Sequence, residues 1–225
     1  SLMASMKIAP ATHFLMLAGP LAVVLWLAVN LLEADEVGEK VEKKKFALPR
    51  GPLVLLGLLG FFGSMAEGSI ADWSGVFLKE HFGASDGLAP LALSSFSVMM
   101  LMSRMVGDKM KERYGAKRLL TSGALVAASG LFFAVLAPNA YVALGGFAIA
   151  GVGLALVFPF VFSAAGAQGP AALAAVASMA YSGSLMGPPA IGAVAHFVGM
   201  QAAIAYVGGL SLVIAVVACR TRLLK

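Results

Sequence analysis

Between Leu53 and Lys79 the chain is about as long and as apolar as a helix that crosses a bilayer, yet it holds two carboxylates, Glu67 and Asp72. Glu67 stands 15 residues beyond Pro52, so it lies about 22 Å along a helix rising ~1.5 Å per residue. That is well inside a hydrocarbon layer roughly 30 Å thick. A charged carboxylate facing lipid there costs about 3 kcal/mol or more, and such groups persist where they face a bundle interior or a watery cavity. Glu67 is therefore expected to line a path through a helical bundle.

The rest of the composition agrees. Of 225 residues, 60% are hydrophobic and 12% charged, where a soluble domain carries about 25% charged residues. Seven apolar runs have close to the ~20 residues that a spanning helix needs. They cover about Thr12–Leu32, Leu53–Phe77, Leu88–Val106, Leu119–Leu136, Tyr141–Ala164, Ala171–Phe197 and Ala202–Cys219. The expected fold class is all-α, a polytopic bundle of seven transmembrane helices. A signal peptide is not expected, because the first run is long enough to span.

Charge sets the expected orientation. Lys40, Lys43, Lys44, Lys45 and Arg50 follow the first run; Arg104, Lys109, Lys111, Arg113, Lys117 and Arg118 follow the third; Arg220, Arg222 and Lys225 follow the last. These fall on one face, with Lys7 and Lys79 on the other. The positive-inside rule makes the richer face cytoplasmic, with the N-terminus outside and the C-terminus inside. The expected location is the inner (plasma) membrane of a bacterium. Glu33–Arg50 mixes five acids with five bases, has no apolar periodicity and contains Pro49, so it reads as a solvated tether. The expected organisation is one helix over residues 1–32, a cytoplasmic linker over 33–50 and a six-helix bundle over 51–225.

Several function classes are disfavoured. A retinal protein needs a mid-membrane lysine, and no lysine falls within the seven runs. Two acids five residues apart on one helix point ~140° apart, a poor catalytic pair. No enzyme activity, cofactor or metal is expected; the single cysteine, Cys219, excludes a multi-cysteine metal site. The net charge of +5 lies in short loops, which argues against nucleic acid as a partner. No ATP-binding motif appears.

Four stretches carry a family resemblance. Arg104-Met-Val-Gly-Asp-Lys-Met-Lys-Glu-Arg-Tyr-Gly-Ala-Lys-Arg118 combines Gly107, Asp108, Arg113, Gly115, Lys117 and Arg118, with Arg104 at its start. Gly107 permits close helix approach, Asp108 can pair with a base or cap a helix, and Gly115 suits a turn. Tyr181-Ser-Gly-Ser-Leu-Met-Gly-Pro-Pro-Ala-Ile-Gly192 holds Gly183 and Gly187 four apart for close packing, then Pro188 and Pro189 for a kink, then Gly192. Gly151–Gly166 is glycine-rich and apolar. Glu67-Gly-Ser-Ile-Ala-Asp-Trp-Ser74 is an acidic-tryptophan pattern. Together they resemble the major facilitator superfamily: its sixth helix, central loop and complete C-terminal six-helix half. The fourth stretch is similar to the fucose-permease-like branch.

The resemblance implies alternating access by two six-helix halves. It also implies that five helices of the first half lie outside this sequence, so the partners expected are that missing half or a second copy of the chain, the lipid bilayer, a small polar solute and protons. A sugar is the solute that the branch implies. Glu67 is the leading proton-coupling or substrate-binding residue, since a carboxyl held in the membrane can carry a proton. Gly60, Gly63, Ser64, Ile70, Ala71 and Ser74 share its helical face; Leu58, Phe61, Phe62 and Met65 occupy the opposite side and suit lipid or bulky packing. Tyr181, Ser94, Ser97 and Ser178 are further candidates for the cavity. Asp72 and Trp73 are expected at its outer mouth, and Arg104 in the cytoplasmic loop motif rather than the cavity. The reading from another class is a stand-alone seven-helix receptor or interaction protein that binds without flux.

Overall fold

The computed structural model describes residues 10–31 and 49–224. They fall into two compact units, Ser1–Lys45 and Phe46–Lys225. The described part of the first is helix α1, Pro10–Leu31, whose apolar stretch Ala18–Leu31 is short. Lys7, Lys40, Lys43, Lys44, Lys45, Lys225 and linker residues 33–48 lie outside the described residues.

The second unit is a bundle of α2 (Leu53–Phe82), α3 (Leu91–Tyr114), α4 (Ala116–Val135), α5 (Ala140–Leu154), α6 (Val157–Gly166), α7 (Pro170–Val198) and α8 (Met200–Arg220). No strand occurs among the described residues, and the class is all-α as expected. Four rods are long and apolar enough to cross a membrane: α2, α4, the α5–α6 pair and α8. With α5 and α6 counted as one rod, the described residues hold the expected seven helical rods, but not all seven are as apolar as expected. The start of α3 is diluted by serines and its end by charges, and α7 by Gly, Ser and Pro.

Local chemistry fixes the ends. Gly83 caps α2 in the left-handed region at φ 63°, its N–H bonding the Lys79 carbonyl while Ala84 N–H bonds Leu78, an αL cap. Asn139 accepts from the Val142 amide and caps α5. The segment expected as a loop after Val106 is instead helix to Tyr114. Gly115, at φ 79° and ψ 146°, alone turns α3 into α4. The run from Asp108 to Tyr114 lacks proline or any internal glycine and so continues the helix.

Small residues let the rods meet. The most extensive contacts join α2 to α7, α4 to α5 and α4 to α8. Gly183 sits on the Phe61 backbone, and a Cβ on Gly187 would lie 2.8 Å from the Met65 carbonyl oxygen. Across α4 and α5, a Cβ on Gly130 would lie 2.7 Å from the Gly146 carbonyl oxygen, and Gly153 faces Gly123 equally closely. Met65, expected on a lipid or bulky-packing side, is buried against α7, because the glycines opposite it leave room for its backbone. The core centres on Phe77, Phe96 and Phe147, with Leu56, Leu59 and Ile204 also fully buried.

Two outcomes test this packing. Gly183→Val must drive a side chain into the α2 backbone and should destabilise the detergent-solubilised protein by about 1–3 kcal/mol. Gly209→Ala, with open space around it, should shift stability by no more than about 1 kcal/mol; comparing their thermal unfolding decides it. Between α2 and α3, Lys79 donates to the Asp86 carboxylate. That hydrogen bond first, and the lysine charge second, hold the Asp86 carboxyl below its usual range. A lowered folded value gives stability present above the unfolded value of about 4 and lost as pH falls through the folded one. Asp86→Asn should therefore lower the unfolding temperature slightly at pH 6, and the difference should close as acid is added.

Candidate functional site

Pro159 begins the construction of the site. It lacks an N–H, so the carbonyl of Ala155, four residues earlier, loses its helical partner. The rod Ala140–Gly166 breaks there into α5 and α6. The Nε of Arg104, on α3, donates to the stranded Ala155 oxygen at 3.0 Å. Gly107, one turn further along α3, brings the helices close enough: a Cβ there would lie 2.5 Å from Leu156 Cδ2.

The outer end of the same guanidinium faces Glu67. Arg104 Nη2 lies 3.9 Å from Glu67 Oε2, a charge pair too long for a hydrogen bond. Glu67 Oε2 is buried with no hydrogen-bond partner among the described residues. The side chains are 39% and 32% exposed, respectively, and both open into a cavity of about 640 Å³. Its wall includes Ser64 and Gly68 from α2, Phe158 and Phe162 from α6, and Tyr181 and Ser184 from α7. A cation and an acid thus share one largely apolar chamber whose wall also carries the hydroxyls of Ser64, Tyr181 and Ser184.

The expected residues separate accordingly. Glu67 and Tyr181 line the cavity. Arg104 does too, which corrects its placement in a loop: α3 runs ten residues past it, to Tyr114, and Pro159 gives it a carbonyl to bind. Ser94 and Ser97 are exposed on α3 and Ser178 is half-buried on α7, all three outside this wall. Ser94 and Ser178 each spend their hydroxyl on a carbonyl of the preceding turn, those of Pro90 and Ala174. Asp72 is exposed. Trp73, expected at the mouth, instead packs on Gly192, and its Nε1 donates to the Pro188 carbonyl at 3.1 Å. That ties α2 to the proline-bearing segment of α7.

Asp108 is exposed and makes no ion pair among the described residues. Arg113, Lys117 and Arg118 lie on either side of the Gly115 turn, with Arg113 stacked near Tyr114. Sequence reasoning missed Ser184, Phe158, Pro159 and Phe162 as wall residues. The available signal was Pro159 itself, a helix breaker inside an apolar run.

Residues 56–224 match the family model described as Major Facilitator Superfamily. The chain is 35% identical over 199 residues to an uncharacterized MFS-type transporter of Yersinia pestis, covering 87% of this chain and 52% of that protein. It is 30% identical to the membrane protein MosC of Rhizobium meliloti, covering 89% and 50%. It is 32% identical to an uncharacterized transporter of Sinorhizobium fredii, covering 92% and 56%. The crystal structure of a peptide transporter in complex with sulfate shares its fold, with a TM-score of 0.66 at 19% identity over 79% of this chain and 40% of that one. This chain belongs to the Major Facilitator Superfamily and is an integral, multi-pass membrane protein. It spans about half the length of the curated relatives it matches.

The proline–arginine link can be measured. In a Glu67→Gln background, where no acid is stranded, Arg104→Met should cost about 1–3 kcal/mol by orphaning the Ala155 carbonyl. Adding Pro159→Ala restores the missing N–H, so the arginine change should then cost less, with a coupling of about 1 kcal/mol. Equal costs in both backgrounds would separate Arg104 from the helix break.

Proposed function

We propose that this superfamily chain forms one half of a secondary transporter that moves a small polar solute together with protons by alternating access. The observation that carries the reading is the Glu67–Arg104 pair facing a common cavity among apolar rods. Ionisable side chains at such depth mark solute or proton paths. An acid without a hydrogen-bond partner, 3.9 Å from a guanidinium, can take up a proton without breaking a bond.

The rest of the transporter comes from an N-terminal half beyond this sequence, or from a second copy of the chain. The length of the relatives supports this, since the chain covers 52%, 50% and 56% of them. Residues 1–32 then act as the last helix of the first half, 33–50 as the tether and 51–225 as the second half. The basic residues beside Gly115 and at Arg220 and Arg222 face the cytoplasm, in a bacterial inner membrane. The fucose-permease-like pattern around Glu67 makes a sugar the starting solute for a screen.

Glu67→Gln in the full-length protein should abolish solute-driven proton uptake in reconstituted vesicles while leaving solute exchange intact. Equal proton uptake by parent and variant would remove Glu67 from the coupling path. Solute binding without flux in the parent would favour a receptor instead.

A further inference from the structure

We infer that the solute is an organic anion: a small carboxylic acid with an apolar or aromatic body, bound as its carboxylate on Arg104. The inference rests on the transporter reading and replaces its sugar with a different chemical class.

The charge arrangement is the first ground. The titratable or charged groups in the cavity wall are Glu67, Arg104 and Tyr181. Arg104 commits Nε to the Ala155 carbonyl and makes no hydrogen bond to Glu67. Among the described residues its Nη groups therefore keep free N–H donors, on a side chain that is 39% exposed. A guanidinium fixed at one nitrogen and open at the others is suited to a carboxylate, whose two oxygens accept parallel N–H bonds. Holding Nε lowers the ordering cost of that contact.

The remaining wall is the second ground. Phe158, Phe162, Pro159 and Ala180 are apolar, and Tyr181 offers a ring face. The hydroxyls of Ser64, Ser184 and Tyr181 are few and dispersed for a solute with a hydroxyl on nearly every carbon. On this half of the chamber a polyol would meet few partners, and each donor buried without one carries a cost.

Glu67 supplies the charge balance. With the site empty, its carboxylate offsets Arg104. When the solute carboxylate takes the guanidinium, Glu67 binds one proton, so a buried pair of anions never faces a single cation. One monoanion and one proton enter together, and the net charge carried is zero. The proton sits on a Glu67 carboxyl oxygen and leaves with the solute on the opposite side.

The test uses the full-length transporter in detergent and matched probe pairs: benzoate with benzamide, phenylacetate with phenylacetamide, and gluconate with glucose. Unfolding temperature is recorded with each probe. Benzoate or phenylacetate should raise it saturably, and the corresponding amide and glucose should not. Arg104→Gln should weaken acid binding about ten- to hundredfold, the loss of charge-assisted hydrogen bonds. If that variant does not fold, Glu67→Gln still decides. Parent affinity for the acid should fall as pH rises, and Glu67→Gln should bind with no such slope. Stabilisation by glucose or the amides at least equal to the acids would overturn the inference, as would no stabilisation by either aromatic acid. Vesicle counterflow separates the two readings. Acid bound but never exchanged defeats the transport reading alone; a neutral solute exchanged with Arg104→Gln intact defeats the anion inference alone.

Discussion

The bond from Arg104 to the carbonyl of Ala155 holds the site together. A proline inside an apolar rod leaves a carbonyl with no partner, and within a bilayer an unpaired carbonyl has no water to turn to. An arginine at the same depth has the matching problem of five donors and a full charge. Each resolves part of the other's cost at 3.0 Å. The broken rod is what allows a cation in the interior, and the cation is what makes the break tolerable. Glu67 then completes the electrostatics across the cavity.

This arrangement needs helices that approach closely without a large hydrophobic drive, because lipid tails are as apolar as leucine side chains. Membrane helices therefore rely on small residues that bring backbones together. Gly107 seats α3 on Leu156 beside the break, and Gly183 and Gly187 seat α7 on α2 beside Glu67. Trp73 adds a hydrogen bond across the same α2–α7 seam. The glycines thus set the width of the cavity as well as the stability of the bundle, since the wall residues ride on the backbones that they position.

Depth and periodicity made Glu67 legible in the sequence. Fifteen residues of helix past Pro52 fix where it lies, and the small residues on its face show where it points. Arg104 was misplaced because a basic residue near the end of an apolar run looks like a headgroup anchor. Its true neighbours depend on a helix break 51 residues away. The serines failed for a different reason. A hydroxyl on a helix can satisfy itself on the preceding turn, as Ser94 and Ser178 do, so its presence in a span says little about a cavity. Gly123 and Gly130 on α4 and Gly146 and Gly153 on α5 show a spacing of seven on each helix. That pattern was visible in the sequence, but its meaning required knowing that the two helices pack together.

The proline-bearing elements share a consequence. Pro159 frees the Ala155 carbonyl, and Pro188 and Pro189 free those of Ser184 and Leu185 on α7, by removing the N–H groups four residues on. Ser184 lines the cavity, and its carbonyl oxygen would lie 3.7 Å from a Cβ on Gly68. The helical hydrogen-bond ladder is therefore interrupted on two sides of the chamber, and irregular backbone at membrane depth is tolerated where it lines a cavity. Such segments bend at lower cost than intact helix, because the bonds that bending would break are already absent. The charged groups of the chamber, Glu67 and Arg104, come from α2 and α3, while the stretches that interrupt its other walls are Ala155–Pro159 and Ser184–Pro189. Repairing the break at Pro159 would return the Ala155 carbonyl to the helix and take it from Arg104, so the shape of that wall and the placement of the cavity's cation depend on the same proline.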